Sequence, residues 1–280
     1  MTKAPAWLAL AIAVLAAGCG GSPHDEGAAA TTAASAGPRV VASSQTANVL
    51  ERQYGADADG FYLFTPRKRA WNRVVVFVHG HGGPGEITPM YHRPWLRHLA
   101  ARGSAVVYPR YEAQPGGHGA ARHVERAVRS ALAVLGREAP IVGIGYSRGG
   151  RLVVDWAAIA APAMKPRAIV SVFPASAEDP SPDLSQVDPR TRILVLSGDQ
   201  DEVVGPYGAA DLLLALKRSG FDLHRAHWHV VESTPGFTVN HLSVLESSAR
   251  ARELFWKPAD RVIAQAGRGA SRAPSSRTSS

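Results

Sequence analysis

The stretch Ile141-Val142-Gly143-Ile144-Gly145-Tyr146-Ser147-Arg148-Gly149 joins an apolar run to a segment of helical character that begins near Gly149. A short unbroken apolar run fits a strand covered on both faces. The G-x-S-x-G pattern that closes it fits a sharp strand-to-helix turn, which lifts a serine hydroxyl clear of the sheet. Glycines are needed on both sides because the serine backbone is strained and the strand and helix approach too closely for a Cβ. Its Oγ would lie near the positive end of the helix dipole, beside the unpaired N–H groups of the first turn. A serine that merely caps the helix is the plainer alternative. In a glycine-rich chain the bare pattern is weak, and its position between strand and helix is what sharpens it.

Working outward, strand and helix signals alternate. Phe61-Tyr62-Leu63-Phe64 reads as a short strand stopped by Pro66, and Val74 to Val78 as a β-branched strand buried on both faces. Further apolar runs are Ala105 to Tyr108, Ile141 to Ile144, Ala168 to Phe173, Ile193 to Leu196 and Trp228 to Val231. Amphipathic stretches lie between them, the clearest with Val124, Ala127, Val128, Ala131, Leu132 and Leu135 on one face and Glu125, Arg126 and Arg129 on the other. The expected fold class is therefore α/β, a mostly parallel central sheet flanked by helices on both faces. Ligands in such sheets bind outside the carboxyl ends of the strands. Between Phe173 and Thr191 the chain is proline-rich, polar and too short for a large lid.

With 280 residues and 45% hydrophobic content, the chain suits one large domain with an aliphatic core, since it has only three Met and seven Phe. Residues 1–18 read as an export signal: Lys3, an apolar stretch from Trp7 to Leu15, then Ala16-Ala17-Gly18 before Cys19. This segment resembles a bacterial lipoprotein signal, in which the cysteine is acylated and becomes the mature N-terminus. It departs from that pattern in having Ala16, not leucine, three places before the cysteine, and ordinary cleavage nearby is the rival reading. Cys19 is the only cysteine, so an intramolecular disulfide is impossible, and its Gly20-Gly21-Ser22 neighbours offer it no core. The resemblance implies an exported protein held to a bacterial membrane by lipid, facing the periplasm or exterior.

Residues 19–47 read as a lipidated N-terminus and linker, 48–264 as the folded domain, and 265–280 as a basic Ser/Arg-rich tail with too little apolar surface to fold. Net charge is +8, falling to +7 without Lys3. No basic stripe interleaved with aromatics is present, which argues against a nucleic-acid partner.

A serine hydroxyl is a poor nucleophile unless a histidine takes its proton and a carboxylate orients that histidine. In chain order the sequence offers Val78-His79-Gly80-His81-Gly82-Gly83, Ser147, Gly198-Asp199-Gln200-Asp201 and Asn240-His241. From about Phe61 to Phe255 this series resembles the α/β-hydrolase fold family, with its Ser, Asp, His order. The resemblance implies Ser147 as nucleophile, Asp201 as orienting acid and His241 as general base. Asp199 is the rival acid, but the family's G-x-x-D spacing fits Gly198 and Asp201, and Asp199 fits a turn-former. Among eleven histidines, His92, His98 and His123 are assigned to helix surfaces, His227 and His229 to the last strand and His24 to the linker. His241 follows the last strand in a loop and precedes an apolar stretch, Leu242 to Phe255, read as a helix.

The glycines after His79 let backbone N–H groups face a substrate oxygen, with His81 or Gly82 as one oxyanion donor and Arg148 as the other. No H-E-x-x-H, paired cysteine or carboxylate cluster accompanies His79 and His81, so no metal is expected, and the reading needs no cofactor. Arg148 opposes the helix dipole and calls for an anionic neighbour, for which Glu112 is the candidate. Met90, Tyr91, Trp95, Tyr111 and Tyr146 could line an open cleft. The expected activity is cleavage of a small or polymeric carboxylic ester through an acyl-enzyme. An acyltransferase or thioesterase, or a non-catalytic envelope lipoprotein on the same fold, are the alternatives.

Overall fold

The computed structural model describes residues 38–111 and 117–268. Leader residues 1–18, Cys19 and Glu112 lie outside them.

Nine strands form one sheet: β1 (Val40–Gln45), β2 (Val49–Tyr54), β3 (Phe61–Pro66), β4 (Arg73–Val78), β5 (Ser104–Pro109), β6 (Ile141–Tyr146), β7 (Ala168–Val172), β8 (Arg192–Gly198) and β9 (Ala226–Val231). Their spatial order is β1-β2-β3-β5-β4-β6-β7-β8-β9. The first three strands pair antiparallel, β3 also pairs antiparallel with β5, and every pairing from β5 to β9 is parallel. The expected α/β architecture with a mostly parallel sheet is what the chain adopts, and no large lid domain covers it among the described residues.

Alternation along the strands divides two cores. In β4, Val74, Val76 and Val78 face a cluster with Val124, Ala127 and Val128 of α2 (Gly117–Leu135) and Leu152, Val153 and Trp156 of α3 (Arg148–Ile159). Val75 and Phe77 face the other cluster, with Trp95, Leu96 and Leu99 of α1 (Arg93–Ala101). On one side α4 (Tyr207–Arg218) adds Leu212 and Leu216, and on the other the C-terminal helices add Phe255, Trp256 and Ile263. Burial on both faces is why β4 to β8 read as unbroken apolar runs.

Four expectations need correction. The segment read as linker up to residue 47 contains strand β1, whose six residues are all exposed, so no apolar pattern marked it. The next strand, β2, carries no unbroken apolar run, because Glu51 sits at a buried position of it, 5% exposed and paired with Arg93 at 3.0 Å and Arg97 at 3.2 Å. A helix does not start at Leu242: a 3-10 turn at Ser243–Leu245 comes first. Then α5 (Ala249–Ala251) runs through a π turn (Arg252–Trp256) into α6 (Lys257–Arg268), beyond the expected boundary at 264. His92 is not on a helix surface. It is 4% exposed, its ring 4.8 Å from that of Phe77 and 5.5 Å from that of Tyr146.

Candidate active site

Ser147 sits in the turn between β6 and α3 with φ 56° and ψ −124°, one of two non-glycine residues with positive φ among those described. Such a backbone is costly and persists only where its surroundings over-determine it. Here the Ser147 N–H donates to Val172 O at 2.9 Å, and Ser147 O accepts from Gly150 N at 2.8 Å and Ala175 N at 3.1 Å. The flanking glycines are required by contact: a Cβ on Gly145 would lie 2.0 Å from Gly149 O, and one on Gly149 would lie 2.2 Å from both Val78 O and His79 O. The helix-capping alternative does not hold, because the Ser147 side chain makes no cap hydrogen bond.

The Ser147 Oγ instead lies 2.9 Å from His241 Nε2, and His241 Nδ1 lies 2.9 Å from Asp201 Oδ2. Three loops after β6, β8 and β9 thus bring together residues 147, 201 and 241. The other Asp201 oxygen accepts from Val203 N at 2.9 Å and Val204 N at 3.2 Å. Burial alone would raise the Asp201 pKa, but the His241 bond and these two N–H donors outweigh it and hold the carboxyl below its ordinary value. An ionised Asp201 accepts from Nδ1–H and leaves Nε2 as a lone pair toward Ser147. The His241 ring is 5.1 Å from Tyr146 and 5.9 Å from Phe173, and Tyr146 Oη donates to His241 O at 2.8 Å. Asp199 is exposed and accepts from Ser233 Oγ at 2.6 Å, which fits the turn-anchoring role expected for it.

The loop after β4 packs directly on the nucleophile turn, since a Cβ on Gly80 would lie 3.1 Å from both Ser147 Cβ and the Tyr146 ring. His79 is 1% exposed, stacked 4.2 Å from the Tyr111 ring and 5.2 Å from that of Tyr108. Burial pushes its pKa down to about 4, so it is neutral, and its Nδ1–H donates to Gly80 O at 2.7 Å. In a trans peptide C=O and N–H point in opposite directions, so this bond also fixes the aim of the His81 N–H. The expected Gly82 donor is already engaged: its N–H donates to Glu86 Oε1 at 2.7 Å. The Gly82 N–H is thus taken, and the His81 N–H is the one whose aim the His79 bond fixes. No local pattern announced the parts played here by His79 and Glu86, because both depend on the loop's folded path.

Arg148 has an anionic neighbour in Glu178, from the proline-rich segment after β7, while the expected partner Glu112 lies outside the described residues. The guanidinium Nη2 donates to Glu178 Oε2 at 2.8 Å and Nε to Oε1, while its carbon lies 5.3 Å from the Tyr111 ring centre. Of the expected cleft residues, Trp95, Tyr111 and Tyr146 are buried, whereas Met90 and Tyr91 are 46% and 41% exposed. Two concavities, one of about 680 Å³ lined by residues including Lys165, Arg167 and Arg192 and another by Ile193, Arg225 and His227, border the amino ends of the strands, away from Ser147.

No family model matches the sequence, and no curated protein matches it. Solved structures do resemble it. Esterase B from Lactobacillus Rhamnosis aligns at TM-score 0.61 and 17% identity, covering 80% of this chain and 88% of that one. MGS-M1, an alpha/beta hydrolase from a deep-sea metagenome library, aligns at 0.56 and 15%, covering 78% and 98%. A putative dienelactone hydrolase from Klebsiella pneumoniae aligns at 0.53 and 17%, covering 77% and 94%. At such identities likeness speaks for architecture, and the architecture these proteins share with this chain is the α/β-hydrolase fold.

Proposed function

We propose that the protein is an exported serine hydrolase that cleaves carboxylic esters through an acyl-enzyme intermediate. The observation that carries the reading is a single imidazole bridging an alcohol and a carboxylate, with His241 2.9 Å from Ser147 Oγ and 2.9 Å from Asp201 Oδ2. As Ser147 Oγ attacks the ester carbonyl, its proton passes to His241 Nε2, and Asp201 stabilises the imidazolium. The negative oxygen of the tetrahedral intermediate is received by the backbone N–H groups of Arg148 and His81. Collapse expels the alcohol, which takes the proton from Nε2. Water then gives a proton to the same nitrogen, attacks the acyl carbon and releases the acid, restoring Ser147. Export and attachment through Cys19 rest on the leader pattern.

A fluorophosphonate probe tests the reading. It labels the protein at Ser147, and Ser147→Ala or His241→Ala abolishes the adduct. Retained labelling in Ser147→Ala, or none in the parent protein, refutes the catalytic assignment. Products formed from a model ester with and without a competing alcohol separate hydrolysis from acyl transfer, and the mass of the mature N-terminus reports acylation of Cys19.

A further inference from the structure

The large apolar side chains left exposed are not scattered evenly. Among the described residues, Ile87 (54% exposed), Met90 and Tyr91 lie in the loop after β4, Val203 in the loop after β8 with Tyr207 (78%) opening α4 at that loop's end, and Leu242 (62%) directly after His241. These are the loops that carry the site. The others lie on edge strands β1 and β9 or singly on helices. Each of the three segments thus presents apolar side chains to solvent at the end of the sheet where Ser147, Asp201 and His241 meet, and exposed apolar surface concentrated in this way marks interaction sites.

We propose that this rim is a docking surface for a phospholipid bilayer, and that the ester substrates are drawn from that layer. The inference rests on the hydrolase reading above. The rim's side chains stand on the loops that carry Gly80, Asp201 and His241 or directly beside them, so a protein seated on them would cover the site, whereas an ester-bearing lipid surface supplies substrate where it docks. The chain's path agrees. Val40 pairs with Tyr54, Tyr54 with Phe61 and Phe61 with Pro109, so the polypeptide joins the sheet at the carboxyl end of β5, the end that bears the site. Twenty-one residue steps separate Cys19 from Val40. Their contour reaches about 70 Å, far beyond the radius of gyration of about 18 Å for a domain this size, so the sheet's twist does not prevent the rim from facing an anchoring membrane.

Cys19 is the sole thiol, which makes site-directed labelling simple. Full-length Cys19→Ser proteins carrying Tyr207→Cys, Ile87→Cys or, on the α2 surface, Val134→Cys are labelled with a polarity-sensitive fluorophore and mixed with phosphatidylcholine vesicles. The label at 207 and 87 blue-shifts and brightens and is quenched by spin-labelled lipid, while that at 134 does not change. Equal responses at all three positions, or none at 207, overturn the proposal. So does a change at 207 that follows protein concentration without lipid, which would mean a second copy covers the rim. In parallel, the double variant Ile87→Glu, Tyr207→Glu loses about tenfold or more in turnover of vesicle-borne ester and keeps its activity on a water-soluble ester. Equal losses on both substrates also overturn it. Fluorophosphonate labelling of the same proteins separates the two readings: labelling without immersion leaves the hydrolase and removes the docking surface, and immersion without labelling does the reverse.

Discussion

Lowering the pH should destabilise this protein well above the range where its carboxylates titrate, because two histidines are buried neutral beside the site. Burial pushes His79 down to about 4 and His92 to about 3 from an ordinary 6.5. A histidine whose folded pKa is depressed binds fewer protons folded than unfolded. Its stability contribution is therefore fully present above pH 6.5 and is lost as pH falls toward the folded value. At 1.36 kcal/mol per pH unit, each group costs about 2 kcal/mol between pH 7 and pH 5, so the pair costs about 4 kcal/mol. That is a large share of the roughly 5–15 kcal/mol typical of a folded domain. The depressed carboxylates, Asp201 included, add losses only at lower pH. His92→Phe isolates the effect. The His92 ring lies among Phe77, Tyr108 and Tyr146, and its Nδ1 is buried with no partner among the described residues, so a phenyl ring suits the space. Urea unfolding at pH 7 and pH 5 should show the parent losing about 4 kcal/mol and the variant about 2, because contributions common to both proteins cancel. An equal loss in the two proteins, or a His92 ring that titrates near 6.5 by NMR, would refute the reasoning.

His79→Phe keeps a ring stacked on Tyr108 and Tyr111 but removes the donor to Gly80 O, so kcat on a model ester should fall about 10- to 100-fold with KM within about threefold. An unchanged kcat would show that the His81 peptide holds its orientation without that bond. Asp201→Asn replaces the acceptor of Nδ1–H with an amide and should lower kcat by about 10⁴, with only a modest fall in the unfolding midpoint from loss of the stabilising ionised carboxylate, measured side by side on the purified proteins. Glu178→Gln should cost about 1–3 kcal/mol in urea unfolding and lower kcat, since Arg148 is nearly buried and supplies a proposed oxyanion donor; if neither changes, the pair is a surface contact without consequence.

How far the site could be read from the sequence follows from how local each constraint is. The turn at Ser147 was legible because its steric demands fall within five residues: Gly145 and Gly149 are glycines since each would otherwise drive a Cβ to about 2 Å from a neighbouring carbonyl oxygen. Asp201 and His241 were legible at one remove, because both stand where a strand's carboxyl end must open into a loop, and chain order supplied the rest. Glu178 was not. The charge of Arg148 called for a carboxylate, and that Glu178 supplies one depends on the path of a proline-rich segment 30 residues away, where no periodicity fixes direction. His92 failed for a related reason: a polar residue at a helix start reads as exposed unless one knows that α1 presses its first turn onto Phe77. Glu51 hid a strand in the same way, since a buried carboxylate satisfied by two arginines more than 40 residues on breaks the alternation that marks β-structure. In all three cases a polar side chain is made tolerable by a partner or a packing surface contributed from elsewhere in the fold, so its local pattern points the wrong way. The same logic bears on the oxyanion loop: its glycines announced freedom, but the direction that freedom takes is set by a neutral His79 and by Glu86, each acting on the backbone only after the loop has closed over Ser147.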